Sequence, residues 1–377
     1  MRLLIAGGGT GGHLFPGIAV AEEVTTRDTR NEVLFVGTDR GLEARVVPAY
    51  GWPLETLRVE GLKGKGFGGL LRSLFRLPTA FAQSVRILRA WQPDVVLGVG
   101  GYSSGPVVLA AALMRIPTAI QEQNALPGLT NRILGAFVNR VFVAFEEARA
   151  TFPVEKVVLV GNPIRRKLMD NYLRSSVAHE RFTVLVVGGS LGARGLNQRV
   201  IEALGFLTDR KDALHFIHQT GKASLEEVKA GYEAHGFSAD VVEFIEDMSA
   251  AYMGAELVVC RAGATTLAEL TVCKKASILV PFPHATDDHQ AVNASSLVAA
   301  GAAVMFREES LTGERLAQEI RAIEADEPRR KQMEKRAALL GRPEAAKELA
   351  DVCVELMHEA WGPKGRERPS LPSEVKP

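Results

Sequence analysis

Cysteine, net charge and long apolar runs are all scarce in this 377-residue chain, and each shortage removes a class of protein. Only three cysteines occur, Cys260, Cys273 and Cys353, spaced 13 and 80 positions apart. An odd count with no C-x-x-C pair argues against a disulfide framework and structural zinc, and fits a reducing cytoplasm. Lys plus Arg number 45 against 44 Asp plus Glu, a formal charge of +1 that offers nucleic acid no global field. Any basic site must be local. No run approaches the ~20 apolar residues of a spanning helix. The opening Met1-Arg2-Leu3-Leu4-Ile5-Ala6 reaches glycine too soon to form the apolar centre of a signal peptide.

What is present is core material: 46% of residues are apolar, enough at this length for two domains rather than one. Short β-rich runs alternate with helical patterns, the signature of a parallel sheet covered on both faces. Six such runs fall in each half, at 3–6, 33–36, 95–99, 118–120, 141–144 and 157–160, then 183–187, 214–217, 241–244, 257–260, 278–280 and 303–306. A weak internal repeat supports two similar domains, since Gly8-Gly9-Thr10-Gly11-Gly12 follows the first run as Gly188-Gly189-Ser190-Leu191-Gly192 follows the seventh. The junction is expected near Gly161-Asn162-Pro163, where proline bars helix continuation. From Gly362 the chain turns Pro-rich and polar, a composition that predicts a disordered tail.

Three glycine-rich turns, at 7–13, 100–105 and 188–194, each follow an apolar strand. Glycine lets the backbone approach a ligand closely, and the N–H groups of the ensuing helix face an anion favourably, so such turns can cradle phosphate. A tight turn with no ligand is the plain alternative for any one of them; three together favour a phosphorylated ligand. The first turn also matches G-x-G-x-x-G through Gly7, Gly9 and Gly12, but the acidic residue that a dinucleotide site wants about 20 positions on is missing, Asp39 arriving 27 after Gly12. Gly221-Lys222 runs into Ala223 and lacks P-loop spacing. No D-x-D pair occurs, although Asp287 and Asp288 are adjacent, so a diphosphate is expected on helix N-termini and side chains rather than on a metal. His215 and His218, three apart on a strand, point to opposite faces and do not make a metal pair.

Other polar residues stand where strand ends would converge: Gln121-Glu122-Gln123-Asn124, Arg261 with the run to Glu269, and the long loop at 281–290. Thr266 and Glu269 also read as a T-x-x-E capping box needing no ligand. Residues 61–93 hold six basic side chains, Lys63, Lys65, Arg72, Arg76, Arg86 and Arg89, and no acidic one. A helix over 69–77 would gather Leu70, Leu71, Leu74, Phe75 and Leu77 on one face beside Arg72 and Arg76, the pattern of an interfacial helix on anionic lipid or of a core helix with a solvated basic side. Pro78 is expected to end it, and Phe81, Val85 and Leu88 read as ordinary core.

Taken together, Gly7-Gly8-Gly9-Thr10-Gly11-Gly12-His13, Gly100-Gly101-Tyr102-Ser103-Ser104-Gly105-Pro106, Glu122-Gln123-Asn124, Gly161-Asn162-Pro163-Ile164-Arg165, Gly188-Gly189-Ser190-Leu191-Gly192-Ala193-Arg194 and Asp288-His289-Gln290 closely resemble the MurG family, glycosyltransferase family 28. The resemblance runs in the family's order from about Arg2 to Trp361. It implies an α/β, GT-B fold of two Rossmann-like, doubly wound parallel-sheet domains facing across a cleft. The expected division is 1–161 for lipid I binding and membrane association, 162–340 for UDP-GlcNAc, a helix at 341–361 returning to the first domain, and a tail at 362–377. The implied reaction is inverting transfer of N-acetylglucosamine to the MurNAc 4-hydroxyl of undecaprenyl-linked lipid I. The product is lipid II, for peptidoglycan and hence for cell shape and division.

By the same resemblance the substrate contacts fall on Thr10, Gly11, Gly12, Asn124, Arg165, Ser190, Ile245, Ala264, Thr265, Thr266, Leu267, Ala268, Glu269 and Gln290. Glu269 would take the ribose, Ile245 the uracil and Ser190 the diphosphate, with His13 the candidate base and Asn124 beside the transferred sugar. Membrane contact would come from Leu70, Leu71, Arg72, Leu74, Phe75 and Arg76 against anionic inner-membrane lipids, on the cytoplasmic face. No metal or other cofactor and no nucleic acid are implied; other cell-wall synthesis proteins are possible partners. This chain has Gln121 where the family often has histidine, and its loop at 281–290 is one that varies in length, so Gln290 is placed less directly than Glu269. A UDP-GlcNAc 2-epimerase of the same fold, and a nucleotide-sugar-binding regulator without turnover, are the rival readings.

Overall fold

The computed structural model describes residues 1–57, 67–174, 181–189, 192–363 and 365–366, with only the backbone course described for 67–77 and 171–174. The chain forms two compact units. The first comprises Met1–Gln123, Pro127–Val160 and Glu344–Pro377; the second comprises Asn124–Leu126 and Gly161–Pro343.

The first unit is built on seven parallel strands: β1 (Arg2–Gly7), β2 (Glu32–Gly37), β3 (Leu54–Thr56), β4 (Val95–Gly100), β5 (Thr118–Glu122), β6 (Arg140–Val143) and β7 (Val157–Leu159), in the order β3-β2-β1-β4-β5-β6-β7. Alternation along a strand sends neighbours to opposite faces, and here both faces are dry. Leu3 and Ile5 enter one core with Leu14, Ile18 and Leu349, while Leu4 and Ala6 enter the other with Leu88, Val108 and Ile120. That double burial is why β1 reads as an unbroken apolar run. The helix Ala345–Trp361 closes the first of these cores through Leu349, Ala350, Cys353, Leu356 and Met357. Each larger side chain so buried is worth roughly 1.5–3 kcal/mol. Arg27 to Asp351 at 2.6 Å and Trp361 Nε1 donating to the Asp94 carbonyl at 3.0 Å set its register.

The second unit repeats the plan with six parallel strands: β8 (Phe182–Val187), β9 (Leu214–Gln219), β10 (Ser238–Val242), β11 (Leu257–Cys260), β12 (Ala276–Leu279) and β13 (Ala303–Met305), in the order β10-β9-β8-β11-β12-β13. In both sheets the strand order reverses beside the first strand, between β1 and β4 and between β8 and β11. Ligands of doubly wound sheets bind at such switch points, outside the carboxyl ends of the strands.

Three points of local structure differ from expectation. Strand β3 was not foreseen, because a three-residue edge strand after Pro53 carries one apolar side chain and no periodicity. Strand β10 lies earlier than the run at 241–244, its pairing set by β9 through Ser238 to His215 and Val242 to Gln219. Pro78 does not end a helix: a single helix runs Phe67–Trp91 with the proline inside, and beyond it Phe81, Val85 and Leu88 do pack into the core. The expected disordered tail at 362–377 lies, beyond residue 366, outside the described residues. Arg366 N–H donates to Asp94 at 3.0 Å and its guanidinium lies 5.1 Å from the Trp361 ring.

Candidate active site

At the first switch point the chain leaves β1 through Gly7, Gly8 and Gly9, all at positive φ, and enters the helix Gly11–Arg27. The turn packs backbone to backbone against the one that leaves β4. Gly8 N–H donates to the Gly100 carbonyl at 3.3 Å, and a Cβ on Gly101 would stand 2.5 Å from the Gly8 oxygen. Glycine at 100 has a further reason, because a Cβ there would lie 2.6 Å from Cδ2 of His13. The imidazole therefore rests over the second glycine turn, with Nδ1 3.3 Å from the Thr10 hydroxyl. Thr10, Gly11, Gly12 and His13 thus meet at one helix start, beside Gly100. Below them lies a carboxylate that sequence reasoning passed over: Glu43, fully buried, accepts from Gly9 N–H at 2.6 Å and from Thr38 N–H and hydroxyl, both at 2.8 Å.

At the second switch point the turn leaving β8 runs through Gly188 and Gly189 to the helix Arg194–Leu204; Ser190 and Leu191 lie outside the described residues. Buried Gln219, at the end of β9, braces this turn: its amide donates to the Gly189 carbonyl at 2.8 Å and its oxygen accepts from Ile245 N–H at 2.9 Å. One side chain thereby ties together the turn and Ile245.

Across the switch point, β11 leads into the helix Ala264–Val272, whose N-cap is Gly263 without a side-chain cap. Thr266 is therefore the third residue of the helix and not its cap, so the capping-box alternative is overturned and Glu269 is released for another task. Its carboxylate is buried, accepting from the Tyr252 hydroxyl at 3.0 Å and lying 3.7 Å from the Arg165 guanidinium. Burial pushes the Glu269 carboxyl above its ordinary range, while Arg165 and the Tyr252 hydrogen bond pull it back down. Burial also raises the Tyr252 phenol, keeping it a donor. Along the same helix Thr265, Thr266 and Ala268 are half-exposed; Ala264 and Leu267 are buried, so Leu267 offers a ligand only backbone. Asn162 donates to the Thr265 hydroxyl at 3.3 Å, tying the junction motif to this helix start.

Asn124 packs with the second unit. Buried Asn293 donates to the Asn124 side-chain oxygen at 3.1 Å and accepts from Ala125 N–H at 2.8 Å. Gln290, one turn earlier on the same helix, accepts from Phe282 N–H at 2.9 Å and so holds the loop after β12. In that loop Asp288 pairs with Arg307 at 2.7 Å. The His215 and His218 rings have separate partners, Ser238 and Asp240 for one, Asn197 and Tyr232 for the other. Among the described residues no three His, Cys, Asp or Glu side chains are grouped so as to hold a metal ion. Leu70, Leu71, Arg72, Leu74, Phe75 and Arg76 lie on the helix Phe67–Trp91, but their side chains lie outside the described residues.

Glu43, Tyr252, Gln219 and Asn293 were not read from sequence. Glu43 alone left a signal: an acidic residue is expected just past β2, and Asp39 drew that attention while Glu43 follows four positions later.

Two doubly wound units, each with a glycine turn at its switch point, define the GT-B class of nucleotide-sugar enzymes. The chain belongs to glycosyltransferase family 28, residues 3–143 matching the family's N-terminal domain and 183–349 its C-terminal domain. A protein of Myxococcus xanthus (strain DK1622), named UDP-N-acetylglucosamine--N-acetylmuramyl-(pentapeptide) pyrophosphoryl-undecaprenol N-acetylglucosamine transferase, is 72% identical over 376 residues, covering 100% of this chain and 98% of its own length. The crystal structure of Acinetobacter baumannii MurG matches with a TM-score of 0.77 at 31% identity, over 94% of this chain and 99% of that one. A UDP-GlcNAc 2-epimerase from Neisseria meningitidis, solved with UDP-GlcNAc bound, reaches a TM-score of 0.68 over 94% of this chain and 100% of that one. Its 14% identity makes that a likeness of fold alone, and the epimerase alternative is not favoured.

Proposed function

We propose that this glycosyltransferase moves N-acetylglucosamine from UDP-N-acetylglucosamine to the 4-hydroxyl of the muramyl sugar in undecaprenyl-diphospho-MurNAc-pentapeptide, lipid I, with inversion, giving lipid II for peptidoglycan. The observation that carries this reading is 72% identity along the whole chain to a relative named for that transfer.

The second unit takes the donor. Glu269, held by Tyr252 and facing Arg165, accepts from the ribose hydroxyls; Ile245 meets the uracil; Ser190 and the start of the helix Arg194–Leu204 meet the diphosphate. The muramyl hydroxyl attacks the anomeric carbon as UDP departs from the opposite face, through an oxocarbenium-like transition state. Arg165 and the helix N–H groups stabilise the charge on the leaving diphosphate without a resident metal. His13 takes the acceptor proton, an imidazole being suited to that work near neutral pH. Asn124 orients the transferred sugar.

The first unit meets the lipid. No helix among the described residues is long and apolar enough to cross a membrane. Attachment in this reading is peripheral, on the cytoplasmic face, through the unopposed basic side chains and apolar face of 61–93 against anionic lipid.

The test is transfer of labelled N-acetylglucosamine to a lipid I analogue, with chelator present and a control without acceptor. Acceptor-dependent label that survives chelation supports both the reaction and its metal-free account. Binding of the donor without movement of label, or conversion to ManNAc without acceptor, overturns them.

A further inference from the structure

The first glycine turn contains an anion of its own. Glu43 is 0% exposed, and its two carboxylate oxygens divide their work. One accepts from Gly9 N–H at 2.6 Å, the other from Thr38 N–H and hydroxyl at 2.8 Å each; the same hydroxyl accepts from Gly41 N–H at 3.1 Å. Three glycines close around it. A Cβ on Gly8, Gly37 or Gly41 would fall inside the van der Waals radius of the Glu43 side chain, so each is glycine for the sake of this carboxylate. The backbone N–H groups of a glycine turn before a helix are the groups that ordinarily receive a phosphate. Here one of them, Gly9 N–H, is already committed to a buried negative charge within the chain.

We propose that Glu43 is a positioning residue for the transfer: it locks Gly9, and through it the helix start that presents Thr10 and His13. The inference rests on the transferase reading for its kinetic arm and on geometry alone for its structural arm. Charge-assisted bonds of this length are the stronger kind, and their rigidity passes to a residue one position from Thr10.

Glu43→Gln keeps the shape but puts a neutral amide, half of it a donor, where a carboxylate accepted three bonds. Kinetics with UDP-GlcNAc and a lipid I analogue should give a kcat lower by about ten- to a hundredfold. KM for UDP-GlcNAc and calorimetric UDP binding should stay within twofold, because the proposed donor contacts of the second unit are untouched. Hydrogen–deuterium exchange should quicken in the peptide over 7–14 and stay unchanged over 183–270. Thr38→Val removes one of the three donors and is the milder variant; it should move in the same directions by a smaller factor, and it serves where Glu43→Gln does not fold. A folded Glu43→Gln or Thr38→Val protein with wild-type kcat and wild-type exchange over 7–14 overturns the proposal. So does a joint loss of activity and UDP binding, which would mark a general structural role. A wild type that moves no label would sink the transferase reading instead, and the exchange measurement would still decide whether Glu43 holds the turn.

Discussion

Protonation of His218 is expected to unfasten the second unit. The ring is fully buried, and burial holds its imidazole at about 3 against the usual 6.5. Hydrogen bonding fixes the neutral tautomer. Asn197 Nδ2 donates to the Thr220 carbonyl at 3.0 Å, so Asn197 turns its oxygen toward the ring, and Nε2, 3.1 Å away, must carry the proton. Nδ1 is then the acceptor for the Tyr232 hydroxyl at 3.1 Å. A second proton would set an N–H against that O–H, with the phenol buried and in need of another acceptor. Because the folded value lies below the unfolded one, the stability this group contributes is complete above about 6.5 and is lost as pH falls toward 3, at about 1.4 kcal/mol per unit. From pH 6.5 to pH 5 the loss is about 2 kcal/mol. The substitution His218→Gln removes the titration and keeps a side chain that can bond to both neighbours. All three tryptophans, Trp52, Trp91 and Trp361, belong to the first unit, so urea unfolding of the second is best followed by tyrosine near-UV circular dichroism. Between pH 7 and pH 5 the wild type should lose about 2 kcal/mol more than His218→Gln. Equal losses in the two proteins would refute the reasoning, since no buried neutral imidazole would then be resisting the proton.

Three further outcomes are expected. Tyr252→Phe removes the 3.0 Å bond to the Glu269 carboxylate and should raise KM for UDP-GlcNAc about tenfold with kcat little changed. Without that donor the Glu269 carboxyl, already raised by burial, rises further, so as pH is lowered donor binding should fail at a higher pH than in the wild type, read from KM as a function of pH. Gly100→Ala drives a methyl group into the His13 ring and should lower kcat about a hundredfold while calorimetric UDP binding is unaltered; wild-type turnover would show that the ring position does not matter. Arg72→Glu with Arg76→Glu should abolish flotation on anionic vesicles and leave transfer to a short-chain soluble acceptor intact; unchanged flotation would remove this helix from the membrane contact.

The architecture was legible because its strands are buried on both faces: Leu3 to Ala6, Val95 to Leu97 and Val184 to Val187 are unbroken apolar runs that no solvent-facing strand could tolerate. The elements that escaped are those whose form depends on neighbours. Strand β3 has only one apolar residue of its own, and β10 takes its register from β9. The helix through Pro78 continues although the local rule says that it should stop. The site divides the same way. Glycine turns announce themselves, because backbone geometry restricts those positions to one residue type. Tyr252, Gln219 and Asn293 each act by reaching another element, and nothing in their own segments distinguishes them from core-filling polar residues.

The two switch points share a fold and differ in what steadies their turns, and that difference bears on where the diphosphate belongs. The first turn is fastened by a carboxylate, Glu43, which accepts from Gly9 N–H and brings a buried negative charge to the base of the helix start. The second is fastened by an amide, Gln219, which donates to the Gly189 carbonyl and brings no carboxylate to that turn. A charged brace repels an anionic ligand over the few ångströms involved, where burial weakens dielectric screening; a neutral one does not. Equal helix dipoles therefore give unequal anion sites. The donor's diphosphate is expected at the second turn, and the first is left to orient hydroxyl groups and the imidazole of His13.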